Sequence, residues 1–183
     1  MIKRRIVKWS ERKYSAKIRL LFLILMGLFF ALIIPYLLVL LSFKLDALLG
    51  LRSIYFGLAN FMLGFILIII GFSFGFWSVK IQFTEGRGTP APMMPTQKLI
   101  TDGPYYYCRN PMTFGIFLFY LGVSILIGSI SFIIMVIIIT PMLLIYVKII
   151  EEKELESRFS AEYVEYKSRT PFFFPRLRSS KKK

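Results

Sequence analysis

Residues 111–150 read PMTFGIFLFYLGVSILIGSISFIIMVIIITPMLLIYVKII, a stretch whose only charge is Lys148. Two apolar arms, Pro111 to Ile127 and Ile130 to Ile150, flank Gly128–Ser129, a pair suited to a turn. Uncharged runs of this length are read as bilayer-spanning helices, because lipid leaves the backbone no other partner for its N–H and C=O groups. The pattern predicts a tight helical hairpin in the membrane. Pro141 interrupts the second arm, and the first arm is short enough to be tilted or to be a half-span.

Upstream, Leu20 to Leu41 is nearly all apolar and long enough for one crossing, with Pro35 expected to kink it. Ser42 to Arg52, with Lys44, Asp46, Gly50 and Arg52, reads as a short outer loop. Ile54 to Val79 is the second span. Its glycines Gly57, Gly64 and Gly71 recur at seven-residue steps and predict close helix packing along one stripe. Downstream, Glu151 to Arg169 is charged, and Leu155, Phe159, Tyr163 and Tyr166 fall on one helical face. This segment should lie on the membrane surface or dock under the bundle, ending at Pro171–Phe172–Phe173–Phe174–Pro175. The expected fold is an all-α integral membrane protein of four transmembrane helices, with room for a fifth short or half-span, and a C-terminal amphipathic helix at the cytosolic face.

Composition agrees with that class and narrows the partners. The chain is 56% hydrophobic with mean hydropathy +0.65, yet carries a net charge of +14, so its cations crowd into the connections and tails. Basic flanks beside apolar spans fit cytoplasmic retention and anionic headgroups better than nucleic acid. The positive-inside rule puts both termini and the long Lys80 to Asn110 connection on the cytoplasmic side, and the basic Met1 to Arg19 leader reads as retained. Residues 1–80 form an N-terminal pair of helices, and 81–183 carry the chemistry. With no histidine and one cysteine, zinc-ligand patterns and internal disulfides are excluded. Cys108 reads as a small packing residue, a covalent role being the alternative because Arg109 can lower a thiol pKa.

The polar run Thr101–Asp102–Gly103–Pro104–Tyr105–Tyr106–Tyr107–Cys108–Arg109–Asn110–Pro111–Met112 sits at the entrance to the hairpin. Gly103–Pro104 marks a turn, and Pro111, lacking an N–H, suits the first turn of a helix. The tyrosines are either an aromatic belt or part of a site, and Arg109 either pins the loop to a carbonyl or a glutamate or takes part in chemistry. A second polar block, from Glu151–Glu152 to Arg169–Thr170–Pro171, returns to the same side after an even number of crossings. Gly86–Arg87–Gly88 lacks the residues that complete a phosphate loop, so nucleotide phosphate binding is discarded.

Gly103–Pro104–Tyr105, Arg109–Asn110–Pro111, the Glu151–Glu152 pair and Glu162–Tyr163–Val164–Glu165–Tyr166–Lys167–Ser168–Arg169–Thr170–Pro171 together resemble the isoprenylcysteine carboxyl methyltransferase family. Gly88–Thr89–Pro90 and Leu99–Ile100–Thr101 resemble the loop of its prokaryotic branch, which is related to the phospholipid methyltransferases. The resemblance implies a membrane enzyme using S-adenosylmethionine to methylate the carboxylate of a prenylated cysteine or a similar lipid-linked carboxylate. It implies cofactor contacts at Gln97, Lys98, Leu99, Ile100, Gly103, Tyr105, Asn110, Pro111, Met112, Thr113, Glu151 and Glu152. Asn110 stands where many members have His, and Thr113 where they have Tyr. The basic substrate contact before the glutamates falls on Val147, with Lys148 adjacent. Arg169, Arg109 and Lys148 are the residues expected to act on the substrate, Arg169 by orienting its carboxylate. A carboxylate is already ionised near neutral pH and needs no base, whereas an amine acceptor does. Methylation of a phospholipid amine is the alternative, and a non-enzymatic membrane scaffold the second.

Overall fold

The computed structural model describes residues 14–90 and 94–176. The basic leader up to residue 13, the tail from residue 177 and Ala91–Pro92–Met93 lie outside the described residues. Every regular element among the described residues is helical. We label them α1 (Ala16–Leu48), α2 (Leu58–Thr84), α3 (Pro104–Tyr107), α4 (Pro111–Ile127), α5 (Ile130–Tyr146) and α6 (Glu152–Arg169). Among the described residues three helices are long and apolar enough to cross a membrane: Ala16–Leu48, Leu58–Thr84 and Ile130–Arg169, in which a wider π-type turn at Val147–Glu151 joins α5 to α6. α4 is a shorter apolar helix of 17 residues.

Ile130–Arg169 is not one straight rod, because beyond the break at Ser160 the chain folds back far enough for Lys167 to pair with Glu152 at 2.9 Å. Charges begin at Lys148 and Glu151, after an uncharged run. α6 carries most of these charges, and within it the helix breaks at Ser160 (φ 44°, ψ −119°).

α2 and α4 are the tightest pair, and their glycines explain it. A Cβ added at Gly71 would fall 2.4 Å from the Phe119 amide nitrogen, and one at Gly115 would fall 2.5 Å from that of Gly75. Gly64 and Gly122 face each other in the same way. Only bare backbones can approach so closely, which lets dispersion hold the pair together where no water is displaced. The expected stripe thus includes Gly64 and Gly71, whereas Gly57 instead precedes the first turn of α2 with φ 61° and open space around it.

The far end, where α1 meets the α4–α5 turn, departs from expectation. Ser42 to Leu48 is helix, not loop, because its polar groups find partners. The Ser42 hydroxyl donates to Val39 O (2.8 Å). Buried Asp46 accepts from Ser129 Oγ (2.6 Å) and from the Ser131 amide (2.9 Å), so it caps the N-terminus of α5 from another helix. Gly128 ends α4 in the left-handed region (φ 68°) and Ser129 opens α5, with its hydroxyl accepting from the Phe132 amide. Asn60 adds a second knot, donating to Ile54 O and Ile125 O at 2.8 Å each. Upstream, a π-type turn at Phe29–Ile33 precedes Pro35, and α1 continues through that proline. α5 likewise runs through Pro141.

Candidate functional site

The opposite end of the bundle gathers a second set of polar groups. Gly103 (φ 60°, ψ −130°) turns the chain so that Pro104 can start the single turn of α3. This turn buries Tyr105 and leaves Tyr106 and Tyr107 48% and 37% exposed. Tyr105 packs with Tyr163 and Tyr166 of α6, against Ile81, Leu99, Ile100, Leu155 and Phe159. The four residues that share a face in the sequence of α6 thus meet the tyrosine turn. Tyr166 Oη donates to Tyr105 O (2.7 Å), and the Gln82 amide donates to Tyr105 Oη. Burial raises the Tyr105 phenol well above its ordinary range, so it stays neutral. Cys108 is fully buried and its thiol is pushed up to about 12, a packed group rather than a nucleophile.

Arg109 is committed on all sides. Its Nη1 donates to Glu152 Oε1 and, at 3.4 Å, to Tyr163 Oη; its Nε donates to Thr170 O (3.1 Å) and its backbone N–H to Pro171 O (2.9 Å). The guanidinium also lies 5.3 Å from the Phe172 ring centre. Glu152 is buried and receives Lys167 as well (2.9 Å), so this ion pair has the extra hydrogen bonds a buried pair needs. Asn110 Nδ2 donates to Phe172 O (2.8 Å), and the Arg176 amide to Tyr107 O (2.9 Å). Residues 170–176 therefore form a strap laid along 107–110, held from beneath by Phe173 against Phe114 and Phe117.

Because the Asn110 side chain is spent on the strap, it does not cap α4, which starts at Pro111 with no side-chain cap on its first-turn amides. Met112 is half-buried and Thr113 buried in that turn. Glu151 differs from its neighbour: it is half-buried at the end of the π-type turn, with no hydrogen-bonded or ion-pair partner among the described residues. Burial, with a smaller contribution from Glu154, raises its carboxyl pKa. Its charge in turn is felt at Tyr105. Lys148 is exposed in the same turn. Arg169 is 60% exposed and pairs with Glu165 (3.2 Å), outside the Arg109 network.

Gln97 holds its own loop, its amide donating to Gly86 O (2.6 Å) and its side chain to Pro95 O (3.0 Å). Lys98, Leu99 and Ile100 line a polar cleft of about 370 Å³ with Thr84, Glu85, Arg87 and Asp102. Leu99 and Ile100 line this cleft and also pack against the tyrosine core. Gly103 packs near Trp77 and Ile81. The turn, the Leu99–Ile100 segment and α6 are thus brought together, while Lys148 and Arg169 stand apart from the core. Gln82 was not singled out in the sequence, although a lone carboxamide closing an apolar helix is a signal of its own.

A family model described as phospholipid methyltransferase matches residues 59–162. No curated protein matches the chain. The matched region runs from the start of α2 into α6 and contains the tyrosine turn, Arg109, Asn110 and both glutamates. Covering more than half of the chain, and falling on a bundle with membrane-crossing helices, the match shows that this chain belongs to the phospholipid methyltransferase family and is a membrane methyltransferase.

Proposed function

We propose that the protein transfers a methyl group from S-adenosylmethionine to a lipid-borne acceptor, the carboxylate of a prenylated cysteine or a similar lipid-linked carboxylate. The observation that carries this reading is the meeting of the tyrosine turn with α6 while Glu151 is left unpaired beside them. When bound, S-adenosylmethionine supplies an electrophilic methyl on a sulfonium. The residues present fit it in kind. Glu151 offers a carboxylate for an ammonium or for ribose hydroxyls, and the uncapped start of α4 offers amides to a carboxylate. The Leu99–Ile100 wall beside Tyr105 offers an apolar surface to a base. In-line positioning and exclusion of water suffice for a carboxylate acceptor.

In this reading α4 completes a fourth crossing, since it runs antiparallel along α2 from one end to the other. The basic connections favour a site at the cytosolic face, with α6 docked beneath the bundle. Lys148, exposed in the π-type turn beside Glu151, is the cation this reading offers to an acidic acceptor. Glu151 supports a second reading, a phosphatidylethanolamine-type amine, because a carboxyl with raised proton affinity can take the ammonium proton. Calorimetry on protein in detergent should show binding of S-adenosylhomocysteine, weakened about tenfold or more by Glu151→Ala, the loss of one charged hydrogen bond. Methyl transfer to prenylcysteine analogues against phosphatidylethanolamine separates the two acceptors, and absence of any ligand binding would overturn both.

A further inference from the structure

Gln82 sits in the last turns of α2, facing the tyrosine core, and its groups are used unevenly. Its backbone carbonyl accepts from the Gly88 amide (3.1 Å), anchoring the loop that Gln97 closes onto Gly86 O (2.6 Å). Its carboxamide nitrogen is engaged by Tyr105 Oη, while its Oε1 is buried without a hydrogen-bond partner. A buried polar atom with no partner is uncommon enough to need a reason, and a ligand is one such reason. Gln82 also lies one turn before Glu85, on the same helix face, and Glu85 lines the polar cleft of about 370 Å³ together with Leu99 and Ile100. That volume falls within the range of small-molecule sites.

Resting on the reading of this end of the bundle as a cofactor site, we propose that Gln82 is a further cofactor-binding residue. Its carboxamide reads the polar edge of the nucleoside base. The surroundings divide the labour. Leu99, Ile100 and Tyr105 give flat, apolar walls suited to a base. The charged Glu151 and the uncapped amides of α4 suit the amino-acid half of the same molecule. A base held between apolar walls needs a polar contact to fix its orientation, and the unmatched end of Gln82 provides one.

The test compares Gln82→Met, which keeps length and removes the carboxamide, with the wild-type protein in detergent. Affinities are measured by calorimetry for S-adenosylhomocysteine and for methylthioadenosine, which keeps the nucleoside and lacks the amino acid. The expected result is a loss of about tenfold for both ligands, the size of one hydrogen bond. The unliganded melting temperature should fall only modestly, because the substitution removes the hydrogen bond to Tyr105 Oη together with an unmatched buried group. Gln82→Ala gives the same reading should the methionine variant fail to fold. Unchanged affinity for both ligands, or a loss confined to S-adenosylhomocysteine, would overturn the assignment of Gln82 to the base. Wild-type protein that binds neither ligand would instead overturn the cofactor site itself.

Discussion

Arg109 and Glu152 hold the turn to α6, and the cost of separating them follows from their burial. Arg109→Ala leaves Glu152 with Lys167 alone in a buried position, and should lower stability by about 3–5 kcal/mol in thermal unfolding. Arg109→Lys should recover only part, since an ammonium cannot reach Glu152, Tyr163 and Thr170 O together. Glu151 should behave oppositely. Its folded-state carboxyl is raised, so the folded protein is favoured below the ordinary value of 4.5 and loses that advantage as pH rises through the folded value. Glu151→Gln should therefore raise the melting temperature at pH 7, with the gain vanishing below the carboxylate range, while weakening cofactor binding. By residue type alone the two neighbouring glutamates are alike. About 100° of helical rotation separates a buried, paired residue from an unpaired one, and only the position of Arg109 decides which is which.

Helix boundaries followed the hydrophobic pattern where local chemistry was enough and missed where a distant partner intervened. Gly128–Ser129 could be read as a turn because a left-handed glycine and an N-cap serine are local devices. The continuation of α1 through Ser42–Leu48 could not, since Asp46 is satisfied by Ser129 and Ser131, more than eighty residues away. The same holds for the partners of Gly71 and Gly115: a stripe of glycines announces close packing without naming the opposing helix. Gly115→Ala should push α2 from α4 and cost about 1–3 kcal/mol, read as lower thermal stability in detergent. The break in α6 is another feature that the periodic face concealed. Ser160 adopts φ 44° and ψ −119°, a region a side chain disfavours. Ser160→Gly should stabilise the protein by up to about 1 kcal/mol in the same assay, because it relieves that strain without removing a described contact.

The bundle is braced by Asp46 and Asn60 at one end and by the Arg109 network at the other, with the α2–α4 contact between them. Such an arrangement makes the membrane topology testable without altering the native thiol. Cys108 is fully buried with its pKa pushed up to about 12, so it should resist impermeant maleimides at neutral pH. Cysteines placed at Lys98 and at Arg52 should then label from opposite sides of intact vesicles. Labelling from one side would sink the crossing scheme proposed for α2. The class of the fold was legible from uncharged runs alone. The site was legible only as two blocks expected to meet, because the strap, the tyrosine core and Gln82 depend on contacts across sixty residues or between helices.

The strap also sets an order of events for biogenesis. Thr170, Pro171 and Phe172 supply the carbonyls that receive Arg109 and Asn110, and they follow the helices they tie down. A nascent chain in which α1 to α6 have formed still holds unmet donors at Arg109 and Asn110 until those carbonyls emerge. Polypeptides cut between Arg169 and Thr170 should insert normally yet be cleared by quality control.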